Sequence, residues 1–343
     1  MLACDFAKSK NSQRIVVMVL MALLVVVLAF SACLGQFSVS PSDLIAVLVG
    51  AESSVSGAVA TLLLQVRLPR VVLCAFIGAA LSVAGGAYQS LFQNPMCSQD
   101  VLGASSGASF GAALAILWGF SGAGVSAFAF IFGLLAVAIA VGVSQISRTN
   151  RILALILSGM VVSSLFSSGV SAVKLVADVD EALPAITYWL MGSLTSIRAS
   201  DVLPTTLMLV LAMLPICLLR WRINILATGE DVAQSLGVNT KVVRGVVICC
   251  ATFLTATCVS VSGLIGWVGL VIPHFSRMLV GNDFRRVLPT SILMGASFLL
   301  VVDDLARMLA TSEIPIGILT SFVGAPVFLL LIKRGGVSRG TRS

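Results

Sequence analysis

Three arginines have the residue type and spacing of a surface that binds carboxylates. Arg67 and Arg70 enclose a Leu-Pro pair, and Arg307 follows two aspartates, Asp303 and Asp304. A guanidinium group can donate two parallel hydrogen bonds to one carboxylate, which suits the recognition of an acidic partner protein. Two other interpretations stay open from the residues alone: the arginines anchor lipid headgroups, or the neighbouring aspartates simply neutralise Arg307.

A second polar group surrounds an Asn-Pro turn between two apolar segments. Its members are Gln89, Gln93, Asn94, Ser98, Gln99 and Asp100. Proline disfavours helix in the residue before it, so an ordinary turn accounts for Asn94 and Pro95. Polar side chains close to a bilayer usually line water-filled paths or helix contacts, so a role in a transport pathway is the alternative.

The sequence carries no signature of catalysis or of metal binding. His274 is the only histidine, and a histidine without neighbouring ligands does not build a metal site, so we expect it to pack at a helix end. The eight cysteines show no Cys-x-x-Cys spacing and are interpreted as small apolar packing residues. Neither a Walker loop ending in Gly-Lys-Ser/Thr nor a His-Glu-x-x-His motif occurs. The sequence therefore indicates neither an enzyme nor a bound cofactor.

The elements that position these residues are predicted to be membrane-spanning helices. Hydrophobic residues make up 58% of the 343 and charged residues only 10%, whereas a soluble domain has about 25% charged residues. Apolar windows of about 17–25 residues, long enough to cross a bilayer as helix, recur along the chain. We predict an all-α polytopic membrane protein that forms a single transmembrane domain over 1–343, with its membrane core at about 14–334. The ten predicted spans are 15–34, 71–92, 100–118, 122–145, 151–174, 201–220, 241–263, 266–281, 288–310 and 316–333.

Two of these spans have an alternative interpretation. The first resembles a secretory signal peptide, but its apolar run is long enough to cross the membrane, and we interpret it as a retained helix. The eighth is short, and the break before it near Gly263–Gly266 could instead be the kink of one long helix. That alternative would make the number of spans odd.

The distribution of basic residues predicts the orientation. With ten spans and a cytoplasmic N-terminus, only five of the 21 basic residues lie outside, and the other 16 lie inside. The five are Arg67, Arg70, Lys174, Arg198 and Arg307. This asymmetry fits the positive-inside rule, so both termini are expected in the cytoplasm.

Glycines recur at intervals of four residues in two successive helices. Small residues at that period let another helix approach closely inside lipid. The positions are Gly103, Gly107 and Gly111, preceded by Gly78, Ser82 and Gly86. Tight packing is the favoured interpretation, and a seam that slides during transport is compatible with it.

The longest predicted cytoplasmic connection contains a short helix signal. Glu230 and Asp231 favour a helix start, and Gly237 favours its end. Such a helix could be a solvated turn or a docking element for a cytosolic subunit.

In order and spacing, these motifs resemble the FecCD-type permeases of type II ABC importers from about residue 14 to residue 334. The matching motifs are Arg67-Leu-Pro-Arg70, Gly78-Ala-Ala-Leu81 with Gly85, Gln89, Asn94-Pro95, Leu102-Gly103, Ser106-Gly107, Gly229-Glu230 with Leu236-Gly237, Gly269-Leu-Val-Ile-Pro-His274 with Arg277, Gly295-Ala296, Asp303-Asp-Leu-Ala-Arg307, Pro315-Ile-Gly317 and Gly324-Ala-Pro326-Val-Phe328. The resemblance implies ten helices, with spans two to five and seven to ten related as an inverted repeat. It also implies a second permease copy in a homodimer or close heterodimer, two ATPase subunits that bind ATP and Mg, and an extracytoplasmic substrate-binding protein.

The resemblance also assigns roles to particular residues. It implies that Arg67, Arg70 and Arg307 contact the binding protein. It implies that the cytoplasmic gate is formed by Asn94, Met96, Thr149 and Asn150. The residues that it implies for coupling to the ATPase are Gly229, Glu230, Ala233, Leu236 and Gly237. One departure concerns the gate, because Met96-Cys97-Ser98-Gln99-Asp100 stands where many members read Leu-Ala-x-Pro.

The expected function is import of an iron chelate, such as an iron-siderophore complex, across the cytoplasmic membrane. Haem, cobalamin or molybdate are alternative cargoes of the same importer class. An ion-coupled secondary transporter would need carboxylates at mid-membrane, whereas Asp303 and Asp304 lie toward the outer end of span nine.

Overall fold

The computed structural model describes residues 10–35, 37, 39–51, 55–146, 151–310 and 312–337, and every regular element within them is helical. The α-helices are α1 Lys10–Cys33, α2 Pro41–Leu48, α3 Gly57–Thr61, α4 Leu68–Leu91, α5 Ala104–Leu117, α6 Ala123–Ser144, α7 Arg151–Val176, α8 Ala182–Leu190, α9 Ala199–Leu218, α10 Arg220–Leu226, α11 Glu230–Ser235, α12 Thr240–Ser262, α13 Val268–Val280, α14 Phe284–Met308 and α15 Ile316–Val337. A π-helical turn, Leu62–Arg67, joins α3 to α4.

Side-chain caps mark where several helices begin. The Asn239 side chain accepts a hydrogen bond from the Val242 amide at the start of α12, and Asp283 accepts one from the Arg285 amide at the start of α14. Such caps satisfy amide groups that have no partner in the first helical turn. Hydrogen bonds from Arg285 also hold the pKa of the Asp283 carboxyl below its ordinary value, so this cap is ionised at neutral pH.

Seven helical segments in the described part of the chain are long and apolar enough to cross a membrane. They are Gln13–Cys33, Gly57–Leu91, Ala123–Ser144, Ile152–Val176, Ala199–Leu218, Thr240–Ser262 and Phe284–Met308. Three further apolar helices, Ala104–Leu117, Val268–Val280 and Ile316–Leu329, are shorter. A helix of 14 residues spans only about 20 Å. The all-helical membrane fold is confirmed, and the count of ten crossings stays a prediction.

The break predicted before the eighth span separates two helices. α12 ends at Ser262 and α13 begins at Val268, and the residues between them form no regular secondary structure. Gly263 has φ +65° and Trp267 has φ +68°, so the chain turns twice in the left-handed region. In this structure α12 and α13 are therefore two helices rather than one kinked helix.

Helix α4 lies at the centre of the bundle, and nearly all of its residues from Val71 to Leu91 are buried. It packs against α9, α12, α13 and α14. The closest approaches use glycine: a Cβ on Gly78 would overlap the Gly295 carbonyl of α14, and one on Gly85 would overlap the Gly269 carbonyl of α13. Small residues thus allow the backbone contact that holds helices together where lipid removes the hydrophobic driving force.

Candidate functional site

Two groups of polar residues lie at opposite ends of α4. The π-helical turn and Arg70 mark its first end, and the Asn-Pro turn follows its last residue, Leu91. The 24 residues of α4 separate the two groups by about 35 Å. We call the first the arginine cluster, made of Arg67, Arg70 and Arg307 with Asp303, Asp304 and Glu313, and the second the Asn-Pro turn, residues 92–100.

The backbone before the arginine cluster widens because of Pro69. Proline has no amide hydrogen, and its ring would clash with the carbonyl four residues earlier in a regular helix. In the π-helical turn the Leu68 amide instead donates to the Leu63 carbonyl, five residues back. The Leu-Pro pair noted in the sequence therefore sets how Arg67 and Arg70 enter the bundle.

Arg70 lies between two carboxylates. Its Nη2 is 2.7 Å and its Nε 3.0 Å from Oδ1 of Asp303, and its Nη1 is 2.8 Å from Oε2 of Glu313. The Asp303 side chain is fully buried, and its Oδ2 also lies 3.1 Å from Nε of Arg307. One buried aspartate therefore pairs with arginines from two helices.

The other two arginines cap the end of α1. Arg67 Nη1 donates to the carbonyls of Ala32 and Cys33, at 3.3 Å and 2.9 Å, and Arg307 donates to the carbonyls of Ser31 and Leu34. The last carbonyls of a helix have no partner within it, and basic side chains can satisfy them.

Further bonds complete the arginine cluster. Arg67 also donates to the Phe37 carbonyl, and Arg307 contacts the carboxylate of Asp304. Ser31 Oγ donates to the same Asp304 carboxylate. The arginine cluster thus joins α1, α4 and α14.

The three arginines that the resemblance assigns to docking are buried within their own chain. Arg67, Arg70 and Arg307 are only 5–6% exposed. Their guanidinium groups are engaged by carboxylates and carbonyls of the same chain, and Asp303 and Asp304 pair with Arg307 as the alternative interpretation expected. Binding-protein docking stays a prediction for these three residues, whose observed role is to hold together the end of α1, the start of α4 and the end of α14.

The Asn-Pro turn is ordered by its own side chains. Asn94 Oδ1 accepts a hydrogen bond from the Met96 amide at 2.9 Å, which forms an Asx turn. Asn94 and Met96 are both exposed. The other two residues assigned to the gate, Thr149 and Asn150, lie outside the described residues.

Most of the flanking polar residues bind neighbouring backbone. Gln89 donates to the Leu270 carbonyl of α13 at 3.1 Å, and Gln99 donates to the Ile265 carbonyl at 3.4 Å. Arg277 in turn donates to Gln89 Oε1 at 3.4 Å. For Gln89 and Gln99, helix contact is therefore the observed role.

The short helix predicted after Gly229 is confirmed as α11. Gly229 has φ +134° and Gly237 φ +77°, so glycine suits both turns that bound this helix. The Glu230 carboxylate accepts from Arg244 Nη2 at 2.9 Å and from Thr240 Oγ1 at 3.1 Å, which ties α11 to the start of α12. Ala233 is fully buried, whereas Leu236 is exposed. A helix fixed on one face and exposed on the other can receive a partner.

Helix α10 connects this segment to the Asn-Pro turn. Gln93 Nε2 donates to the Leu226 carbonyl at 3.3 Å, and the Phe284 amide donates to Asn224 Oδ1 at 2.7 Å. The role of Asn224 was not predicted from the sequence. The sequence signal that could have identified Asn224 is an amide side chain in a short connection between two apolar helices.

The glycines at 103, 107 and 111 pack against neighbouring helices. Gly103, directly before the first residue of α5, has φ +85° and faces Ser163. A Cβ on Gly107 or Gly111 would overlap the backbone carbonyl of Phe132 or Phe128 in α6.

Residues 23–334 match the FecCD transport family. The chain belongs to this family. Its membership and its apolar helices make it an integral membrane protein, and the family consists of ABC-transporter permeases, which are non-catalytic membrane subunits.

Individual relatives match nearly the whole chain. The molybdate import system permease protein MolB of Haemophilus influenzae is 38% identical over 321 residues, which cover 92% of this chain and 95% of MolB. A protein of Helicobacter pylori described as a probable iron chelatin transport system permease is 40% identical over 273 residues, 80% of this chain and 82% of that protein. A structure described as an inward-facing conformation of a metal-chelate type ABC transporter superposes with a TM-score of 0.84 at 37% identity, covering 93% of this chain and 98% of the other.

Proposed function

We propose that this FecCD family member is the permease subunit of an ATP-driven importer that carries an iron chelate across the cytoplasmic membrane. The observation that carries the proposal is the full-length likeness to the metal-chelate type transporter, at 37% identity. The 40% identity to the iron chelatin permease favours iron among the metals. The FecCD chain itself binds no cofactor in this proposal, because ATP and Mg are bound by a separate ATPase.

The proposed assembly contains two permease chains, two ATPase subunits and an extracytoplasmic binding protein. We place both termini in the cytoplasm, on the basis of the charge asymmetry of the sequence. The ATPases would then meet α11, and the binding protein would meet the end of the bundle that the arginine cluster holds together. A homodimer is the simplest arrangement for one permease chain.

The contacts around α10 support a route for coupling. A movement of α11 acts on α12 through Glu230 and Arg244. Helix α10 precedes α11 and is bonded to Gln93 of the Asn-Pro turn and to the start of α14. A push from the ATPase on α11 would therefore reach the proposed cytoplasmic gate at Asn94 and Met96 through one short helix. ATP supplies the difference in free energy between the outward and inward states, which a cargo bound equally by both could not supply.

Molybdate is the second candidate cargo. The relative that covers 92% of this chain at 38% identity is a molybdate permease. The two cargoes differ in charge and size, and the binding protein selects between them before the permease is involved.

Uptake into proteoliposomes tests the proposal. The FecCD chain, its ATPase and its binding protein are reconstituted, and ATP-dependent accumulation of radioactive iron chelate and of radioactive molybdate is compared. We expect iron-chelate uptake that is abolished when the catalytic glutamate of the ATPase is replaced. Uptake of molybdate alone would assign the second cargo, and uptake that persists without ATP hydrolysis would reject the importer class.

A further inference from the structure

A large cavity opens between the first turns of α1 and α14, at the end of the bundle predicted to face the cytoplasm. Its volume is about 870 Å³, and α10 and the end of α13 complete its wall. None of the roles discussed above uses it. Four arginines line it, Arg14 from α1, Arg220 from α10, and Arg285 and Arg286 from α14.

The charges of this cavity are unbalanced. Among the described residues that line it, Asp283 is the one carboxylate, and it pairs with Arg285 at 2.7 Å and with Arg286 at 3.7 Å. Within the described part of the chain, Arg14 and Arg220 form no ion pair with an acidic residue, and both are exposed. The cavity therefore presents positive charge to whatever enters it.

Charge and apolar surface are layered in the same order on both long helices. On α1, Val17 and Met18 lie one turn beyond Arg14, and on α14, Pro289 lies one turn beyond Arg285. If both helices run outward from the cytoplasm, as the charge distribution predicts, the arginines lie at the aqueous edge and the apolar residues lie deeper. We call these two layers of the cavity the charged rim and the apolar floor. A phospholipid has the same arrangement, with its phosphate at the membrane–water interface and its acyl chains in the hydrocarbon.

The neighbouring surface has the character of a lipid-facing one. Met18 is 60% exposed and Val19 is equally exposed, so this part of α1 is covered by no other helix of the described chain. Trp221, next to Arg220, is half exposed, and tryptophan is enriched where a protein crosses the membrane–water interface.

We propose that this cavity binds one anionic glycerophospholipid of the cytoplasmic leaflet, with its phosphate among Arg14, Arg220 and Arg286 and its acyl chains along Val17 and Met18. Basic pockets between membrane helices on the cytoplasmic side suit anionic headgroups. Free phosphate would leave the apolar floor uncovered, and a zwitterionic lipid would leave the excess of arginine unbalanced. The site links α1 to α10 and α14, so lipid binding stabilises the inner end of the bundle.

Lipid-dependent thermal stability tests this site on the full-length chain purified with its ATPase. Phosphatidylglycerol, phosphatidylcholine and inorganic phosphate are titrated separately, and retained lipid is counted by native mass spectrometry. We expect saturable stabilisation by phosphatidylglycerol alone. The double variant Arg14→Gln/Arg220→Gln should weaken phosphatidylglycerol binding by roughly tenfold or more, because each basic group near a membrane surface contributes on the order of a fivefold change.

A matched variant separates a defined site from general charge. Arg222→Gln/Lys241→Gln removes two basic residues from the same end of the bundle but outside the cavity, and it should change phosphatidylglycerol binding by less than about twofold. Arg14→Lys/Arg220→Lys should retain most binding and controls for folding. Val17→Trp, which fills the apolar floor without changing charge, should also weaken binding.

Several outcomes would overturn the lipid site. Equal losses in the two glutamine variants would mean that only net charge matters. Protection by inorganic phosphate would assign an anion site without lipid. Unchanged lipid binding with loss of the ATPase from the purified complex would assign the arginines to the ATPase interface. Phosphatidylglycerol binding that appears only after removal of residues 1–9 would assign the cavity to the chain's own N-terminus.

Discussion

Asp303 carries the largest share of the ion pairing in the arginine cluster. It is fully buried and lies within 3.1 Å of both Arg70 and Arg307. We expect Asp303→Asn to destabilise the protein by about 3–5 kcal/mol, because two buried guanidinium groups lose their shared counter-charge. Thermal unfolding of the purified protein in detergent measures the loss. Glu313→Gln is the control, since Glu313 is 31% exposed and should cost about 1 kcal/mol or less; equal losses would contradict the central role of Asp303.

The docking assignment can be tested at Arg67, whose bonds position the helix ends where the binding protein is proposed to dock. Arg67→Gln should reduce association of the binding protein with the reconstituted importer by about tenfold, because the end of α1 and the start of α4 would lose the bonds that position them. Association is measured by surface-immobilised binding. Arg198→Gln, an exposed basic residue on the same predicted side, is the matched control. Association unchanged by Arg67→Gln at physiological salt would remove the docking assignment.

At the scale of elements, the attachment of α11 is open to test. Glu230→Gln removes the charge that pairs with Arg244 across a partly exposed contact, which is worth about 0.5–1 kcal/mol. We expect the fold to persist and the ratio of cargo imported to ATP hydrolysed to fall. Both rates are measured in the same proteoliposomes. Asp231→Asn, which changes an exposed charge on the same helix, should leave the ratio unchanged; a similar fall in both variants would point to surface charge instead.

The crossing of α4 and α13 depends on one pair of glycines. Gly85→Ala places a methyl group where the Gly269 carbonyl lies, and we expect a loss of about 1–3 kcal/mol from the forced separation of the helices. Gly245→Ala in α12 meets no atom within 4 Å and should instead stabilise by up to about 1 kcal/mol, since alanine favours helix. Thermal unfolding compares the two. Equal effects would show that the close approach is not required.

At the scale of the whole molecule, the number of crossings decides the orientation of every loop. A membrane-impermeant thiol reagent should label Ser121→Cys, in the connection between α5 and α6, in intact cells. It should label Gln145→Cys, after α6, only once the cells are opened, because ten crossings place these two connections on opposite sides. A background with the native cysteines replaced by serine or alanine is the control. Labelling of both sites from outside would contradict the predicted topology.

Many of the helices and their close contacts could be predicted from local patterns in the sequence. Apolar runs of sufficient length predicted the helices, because a backbone in lipid must satisfy its hydrogen bonds within its own segment. Glu230, Asp231 and Gly237 predicted α11, since caps and helix dipoles act over one turn. The glycines at intervals of four residues predicted close packing, and α5 does pack on α6 at Gly107 and Gly111.

The tertiary structure decided which of these residues face a partner and which face one another. Arg70 and Asp303 are 233 positions apart, and Arg307 reaches α1 across 276 positions, so no local pattern could show that the predicted docking arginines are buried. The cavity between the first turns of α1 and α14 likewise assembles residues from four separate helices. Sequence by itself determined the class of protein, its helices and its asymmetry of charge, because those follow from the chemistry of each segment. Pairing between distant charges follows from how the helices pack, and only the packed bundle contains that information.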